Sequence, residues 1–425
     1  MEAFVKTQVV IVGGGPAGTG LAISLKKHGI KSIIVEKEGF PRLHVGESMT
    51  GECAASVRAL GLENEMAPYP VKWGTMVYGT DGRNSFYMPV MGRDKENKLF
   101  KQTAWQVRRS QFDKMMLDIC IDQFITCVKG TATDVLRNDK GIPCGVKYKN
   151  DAGEEMEIQA DFVADASGQH TFLRNVGLTS ERLMGKYDKQ LAVFSHFKGV
   201  KRLIEAGKPL QADDTIIFYQ KLNHWAWFIP IDDETVSIGV VTPSEYYRSR
   251  KENKKDFLVR EMKELNPELT KRIEDSEIVE DAHSCANYSY QIREFGGPGF
   301  LCIGDAHRFV DPIFSFGLHF ALVECRMAAD AIADYLSGKT AHLANPFEEH
   351  MKFCELGMDN VQLMLDAFWD YPFAFSLYVK DPKYRDGFID LFAGRCYVAE
   401  PPACVMALRK LQAEGGTTGT VLKQA

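Results

Sequence analysis

The sequence predicts an α/β protein in which a largely parallel sheet is interrupted by an antiparallel sheet and followed by a helical C-terminal region. Three observations predict it. The N-terminal stretch "TQVVIVGGGPAGTGLAISLKKHGIKSIIVEKE" reads strand, glycine turn, amphipathic helix, strand. Residues 190–242 alternate in the manner of antiparallel strands. From Gly317 onward the apolar spacing turns helical, beginning "GLHFALVECRMAADAIADYL".

The elements follow in order. Residues 7–12 are rich in β-branched apolar side chains, as a strand buried on both faces requires. Residues 16–28 carry a helical pattern led by Pro16, whose missing N–H costs nothing at a helix start. Residues 32–36 form the second strand. Gly13, Gly15 and Gly18 spell G-x-G-x-x-G across the strand-to-helix junction, with Ala17 between the last two. Gly13 permits the tight turn, Gly15 lets a pyrophosphate approach the backbone, and Gly18 lets the helix close on the sheet. The phosphates then rest on the helix N-terminus. Glu36 closes the second strand, where a carboxylate accepts hydrogen bonds from ribose hydroxyls. This context predicts a bound dinucleotide.

"DFVADASG" (161–168) and "GFLCIGDAH" (299–307) read as two further strands of the same sheet. Between them "LAVFSHF", "TIIFYQ", "WAWFIPI" and "TVSIGVV" read as an antiparallel sheet. Side chains alternate faces along a strand, so Trp225 and Trp227 are expected to point the same way. The expected division is residues 1–340 for the nucleotide-binding part, carrying the antiparallel sheet at about 70–110 and 185–245. Residues 341–425 are expected to form a helical cover over a substrate pocket.

Composition excludes several classes. Net charge is −6, from 51 basic and 57 acidic residues, which leaves no electrostatic footprint for nucleic acid. No apolar run reaches the length of a membrane span. The strand pattern begins so near Met1 that no signal peptide is expected. Ten cysteines are scattered with no C-x-x-C pair, which reads as reduced thiols in a cytoplasmic protein without a metal site.

The glycine turn, "DASG" (165–168) and "GDAHRFVDP" (304–312) together resemble the FAD-binding signatures of the flavoprotein monooxygenase superfamily. The resemblance implies a Rossmann-like FAD-binding domain, with Asp305 and Pro312 at the cofactor and Arg109, in "QVRRSQFD", near the flavin. "WAWFIP" matches the W-x-W-x-I-P signature of flavin-dependent halogenases at Trp225, Trp227, Ile229 and Pro230. "FPRLHVGES" (40–48) looks like their flavin-adjacent segment, with Arg42, Glu47 and Ser48. "VKWGTMVYG" (71–79) looks like the segment carrying their essential lysine, here Lys72. "DPIFSFG" (311–317) is similar to the segment that sets halide beside the flavin, at Ser315, Phe316 and Gly317, the last also a cofactor contact.

The resemblance implies a two-stage reaction. FADH2 and O₂ oxidise halide to hypohalous acid, which travels to a substrate held elsewhere. Trp225 and Trp227 would wall the substrate from the flavin, Glu47 would act near the cofactor, and Lys72 would receive the oxidant. A lysine can polarise the O–X bond as an ammonium or carry the halogen as an amine. With one dinucleotide fingerprint, FADH2 is expected from a separate NAD(P)H-dependent flavin reductase. Tryptophan-specific halogenases carry a glutamate where this chain has Phe314, and they are longer. Both departures point to the branch acting on phenols or pyrroles, often on a carrier protein. "DAFWDYPFAFSLY" (366–378) is a candidate lining for such a ring. The competing expectations are an FAD-dependent aromatic hydroxylase, a prenyl reductase and a non-enzymatic flavin sensor.

Overall fold

The first strand, Val5–Val12, lies at the middle of the parallel sheet in a computed structural model that describes residues 5–187, 189–203, 209–221, 223–287 and 289–422. It pairs in parallel with Ser32–Glu36 on one side and Glu155–Asp165 on the other. Thr126–Lys129 extends the sheet beyond Ser32–Glu36, and Phe300–Cys302 extends it beyond Glu155–Asp165. The two later segments therefore join the N-terminal unit, as their apolar runs predict. Pro143–Lys149 and Thr131–Arg137 add an antiparallel flap on the first half of Glu155–Asp165.

The register aligns Val12 with Val35 and with Asp165, and Asp165 with Cys302. All the parallel strands thus end along one edge, where α/β sheets bind their ligands. Helix Pro16–Lys27 covers this sheet beside helix Gly317–Leu336. Their approach is close because Gly20 has no side chain: a Cβ there would stand 2.7 Å from the Cys325 sulfur.

The second sheet runs in the order Glu277–Ile278, Gln190–Lys198, Val236–Pro243, His224–Pro230, Thr215–Lys221, Gly74–Tyr78, Ser85–Pro89. His283–Asn287 adds to the far side of Gln190–Lys198. One junction is parallel, Thr215 to Phe218 against Thr75 to Tyr78. This sheet is sandwiched. Ala226 and Phe228 face a core shared with helices Lys254–Glu264 and Pro267–Arg272. Trp225, Trp227 and Ile229 face the other core, filled by the C-terminal helices.

Those helices are Glu348–Asp370, Pro372–Lys380, Pro382–Ala393 and Ala403–Leu422. The aromatic run 366–378 straddles the break between the first two. Phe368 packs 5.1 Å from Phe314 and 5.5 Å from Phe375, ring centre to ring centre, while Phe373 points to solvent. The run therefore builds core packing, and the residue that reaches the site pocket is Phe392 instead.

Candidate functional site

The glycine turn behaves as the sequence predicts. Gly13 adopts φ +109°, and a Cβ on it would sit 2.4 Å from the Ala166 carbonyl oxygen. A Cβ on Gly18 would sit 1.9 Å from the Gly13 oxygen, so only glycine lets this helix close on the strand. Glu36 stands directly beside the turn. Its carboxylate accepts the Gly14 N–H at 2.5 Å and the Glu38 N–H at 2.7 Å.

A row of charge continues from there. Arg42 Nη2 lies 3.2 Å from where a Cβ on Gly15 would be and 3.3 Å from Asp113. Arg109 is buried and holds Asp113 in a two-pronged pair at 2.7 and 3.0 Å, while its Nη1 donates to the Val45 carbonyl. Burial pushes the Asp305 carboxyl up to about 7, against the lowering pull of Arg109. Arg42 Nε and Glu47 Oε2 are buried without a hydrogen-bond partner. Gly317, at the start of its helix, faces open space where a Cβ would meet nothing within 4 Å. A glycine cradle, the Arg42 guanidinium with an N–H short of a hydrogen bond and an open helix N-terminus fit an anionic dinucleotide carrying a flavin.

Lys72 sits in the two-residue strand Val71–Lys72, paired antiparallel with Ala104–Trp105. It is 4% exposed, whereas Trp73 beside it is 43% exposed. Its Nζ donates to Ser48 Oγ at 2.8 Å and to the Met49 carbonyl at 3.1 Å. Burial lowers its pKa from the ordinary 10.5 to about 8, opposed by the Asp214 charge. Asp214 also clamps the loop: one oxygen accepts the N–H groups of Trp73 and Gly74 at 2.8 and 2.7 Å. The other oxygen accepts the Tyr87 hydroxyl and the Gln211 N–H. Lys72 lines a pocket together with Thr50, Met88, Ile217, Phe314, Ser315 and Phe392.

Other predicted residues fall around this pocket. Ser315 adopts φ +64° between the turn Pro312–Phe314 and helix Gly317–Leu336. That kink brings the first-turn N–H groups, which have no intrahelical acceptor, beside the pocket wall. Trp225 and Trp227 lie on one strand face as expected, 5.9 Å apart and both buried. Neither reaches the pocket surface. Trp227 pairs with the strand residue Ile217, which does; paired residues share a face, so the indoles stand beside the lining, one strand farther along the sheet. Glu47 is buried with Oε1 3.2 Å from His196 Nε2. Ser48, expected as a flavin contact, spends its hydroxyl on Lys72 and on Thr215 Oγ1 at 2.8 Å.

The FAD binding domain family matches residues 6–344. A 1H-pyrrole-2-carbonyl peptidyl-carrier-protein brominase of Pseudoalteromonas luteoviolacea is 37% identical over 402 residues, 94% of this chain and 95% of its own. The chlorinase of the same description from Pseudomonas fluorescens is 30% identical over 407 residues, 92% and 89% of the two chains. The chain belongs to the flavin-dependent halogenases. The solved structure of the flavin-dependent brominase Bmp2 matches it with a TM-score of 0.88 at 36% identity, covering 97% of this chain and 100% of that one. FAD is the cofactor of this halogenase, and halide is its inorganic substrate.

The surroundings of Lys72 also contain residues that sequence reasoning missed. Asp214, Thr215 and Gln106 are buried around Lys72, and no motif marks them. The one signal available was a run of two aspartates, Asp213 and Asp214, directly before an apolar strand. No metal-binding cluster is present among the described residues. No described helix is long and apolar enough to cross a membrane.

Proposed function

We propose that the enzyme halogenates an electron-rich aromatic ring, pyrrole in preference to phenol, presented as an acyl group on a carrier protein. The observation that carries this is Lys72: a buried amine lining a pocket with Phe314 and Ser315. The carrier-bound pyrrole is supported by the names of the two curated relatives that span nearly the whole chain.

Gly13, Gly15, Ala17, Gly18, Glu36, Arg42, Arg109, Asp305, Pro312 and Gly317 would hold FAD along the strand ends. Bound as FADH2, it supplies with O₂ the two-electron oxidation of halide to hypohalous acid. The remaining steps belong to this chain. The N–H groups of Phe316 and Gly317 at the helix start offer an anion site for halide beside Ser315, whose own N–H donates to the Pro312 carbonyl at 2.9 Å. Glu47, held by His196 through one carboxylate oxygen with the other unpaired, would act near the cofactor. Trp225 and Trp227 keep the organic ring away from the flavin.

Lys72 then presents the oxidant. As an ammonium it donates to the hypohalous oxygen and polarises O–X; as a free amine it takes the halogen and releases water. The ring carbon takes the halogen, and loss of the ring proton restores aromaticity, so ArH and HOX become ArX and H₂O. A pKa of about 8 keeps both lysine forms accessible near neutrality. A carboxylate at Phe314 would face this pocket; the phenylalanine leaves it apolar there, which suits a ring that needs no carboxylate assistance. Reduced flavin comes from a separate NAD(P)H-dependent reductase, and the setting is the cytoplasm.

The test is direct. The purified protein, FAD, a flavin reductase with NADH, O₂ and bromide or chloride are incubated with pyrrole-2-carbonyl on a carrier protein. Parallel reactions contain free pyrrole-2-carboxylate, a simple phenol or free tryptophan. The carrier-bound pyrrole should gain halogen fastest, and tryptophan slowest. A product heavier by oxygen alone would make the enzyme a hydroxylase, and equal rates on free and carried pyrrole would remove the carrier.

A further inference from the structure

The polar groups around Lys72 form a chain that the reaction described above does not use. Ser48 comes from the segment before helix Gly51–Leu60, Thr215 from the first position of strand Thr215–Lys221, and Gln106 from the loop after Ala104–Trp105. All three are at most 2% exposed. Lys72 Nζ donates to Ser48 Oγ at 2.8 Å, and Ser48 Oγ and Thr215 Oγ1 share a hydrogen bond of 2.8 Å. Gln106 Nε2 donates to Thr215 Oγ1 at 2.9 Å and to the Asp213 carbonyl at 3.0 Å, which fixes the amide the right way round. Burying four polar side chains from separate elements costs stability unless each is paired. Here the whole chain ends on one amine.

We propose that Ser48 and Thr215 are positioning residues for Lys72. Their hydroxyl pair, anchored by Gln106, holds one N–H direction of the amine while the Met49 carbonyl holds a second, and this turns the third into the pocket. The inference rests on the reading of Lys72 given above. The hydroxyls also serve both protonation states. Ser48 accepts an N–H from the amine and passes its own hydrogen to Thr215 in either state, so the third direction carries an N–H in the ammonium and the lone pair in the free amine. No side chain has to move. The other titratable groups acting on Lys72 are Asp214, from the segment before Thr215, and Cys53, from helix Gly51–Leu60. Both favour the ammonium, and the hydroxyl pair is what solvates it.

The geometry predicts a pH signature. Loss of the Ser48 hydroxyl, or of the Thr215 hydroxyl that orients it, leaves a buried ammonium with poorer solvation, which favours the free amine. The experiment compares Ser48→Ala, Thr215→Val, the conservative Thr215→Ser and Lys72→Ala in the full FAD-loaded enzyme with a flavin reductase. Three quantities are read: bound FAD, hypohalous acid trapped by monochlorodimedone, and halogenated product across pH. Thr215→Val should bind FAD and release trappable oxidant while product falls about ten-fold or more. The titration of product formation should move to lower pH, and Thr215→Ser should restore both rate and profile. Ser48→Ala should behave like Thr215→Val.

If Lys72→Ala is inactive but both hydroxyl deletions keep wild-type yield and pH profile, the inference fails and the reading of Lys72 stands. Loss of FAD from both hydroxyl variants would overturn it too, because the pair would then serve the cofactor. If Lys72→Ala itself halogenates normally, the underlying reading fails.

Discussion

A lysine in water at pH 7 is almost wholly charged, but Lys72 is held where its charge is costly. The fall from 10.5 to about 8 corresponds to about 3 kcal/mol against carrying that proton in the folded state. Between those two values the unfolded chain binds more protons than the folded one, so this term makes stability rise with pH across that window. Replacing Lys72 by methionine, which fills similar space without the charge, should therefore stabilise the fold at pH 7 by about 1–3 kcal/mol. The advantage should vanish by about pH 10, and halogenation should be lost throughout. Urea denaturation at both pH values checks the first point, and equal stability at pH 7 would refute it. Tryptophan beside lysine ordinarily means a buried ring and a solvated amine. The local strand inverts that: Val71 and Trp73 face solvent and Lys72 faces inward, because neighbours on a strand point to opposite sides.

The element that fixes Lys72 is the join between its short strand and Gly74–Tyr78. Asp214 accepts two consecutive N–H groups there, from a position 141 residues away in the chain. Asp214→Asn keeps one oxygen but loses the charge and one acceptor. It should cost about 2–3 kcal/mol of stability and lower halogenation about ten-fold, with FAD affinity unchanged. Thermal unfolding and flavin titration separate the two effects; wild-type activity would show that the clamp does not position the lysine. This contrast explains which elements could be read in advance. The glycine turn and the tryptophan strand are local patterns, set by backbone freedom and by period-two alternation, so a single segment displays them. Asp214, Thr215 and Gln106 matter only through partners that the fold brings from far along the chain. The aromatic run 366–378 carries the opposite lesson, since ring content marks burial and says nothing about which surface the rings meet.

At the scale of the whole molecule, two sheets divide the work. The parallel sheet ends along one edge with Gly13, Glu36 and the residue after Asp165. The second sheet carries the indole pair and, through Thr75 and Ile217, one wall of the pocket, while Lys72 comes from the separate two-stranded ribbon it forms with Ala104–Trp105. Damage to the first edge should remove cofactor without touching the lysine pocket. Gly15→Val would carry its branched side chain into the space beside Arg42 and should purify without FAD, read as loss of flavin absorbance. A fully flavin-loaded variant would contradict the assigned cradle. The parallel sheet and the C-terminal helices were legible because each strand and helix carries its own period. The sandwiching of the second sheet was less so, for its middle strands are buried on both faces and display little polar alternation.

Met88 lines the same pocket as Lys72, and its sulfur accepts a hydrogen bond from Arg385 Nη1 at 3.2 Å. Thioethers are oxidised readily to sulfoxides, and thiolates more readily still. The thiol of Cys53, which interacts electrostatically with Lys72, escapes because burial drives its pKa well up and keeps it protonated. Met88 has no such protection. With oxidant delivered to Lys72 as proposed, the catalyst contains its own point of wear, and its working life is measured in turnovers. Prolonged catalysis without organic acceptor should inactivate the enzyme and add one oxygen to the peptide bearing Met88, seen by mass spectrometry. Met88→Leu, close in volume and free of sulfur, should lengthen that life several-fold; an unchanged rate of inactivation would put the weak point elsewhere.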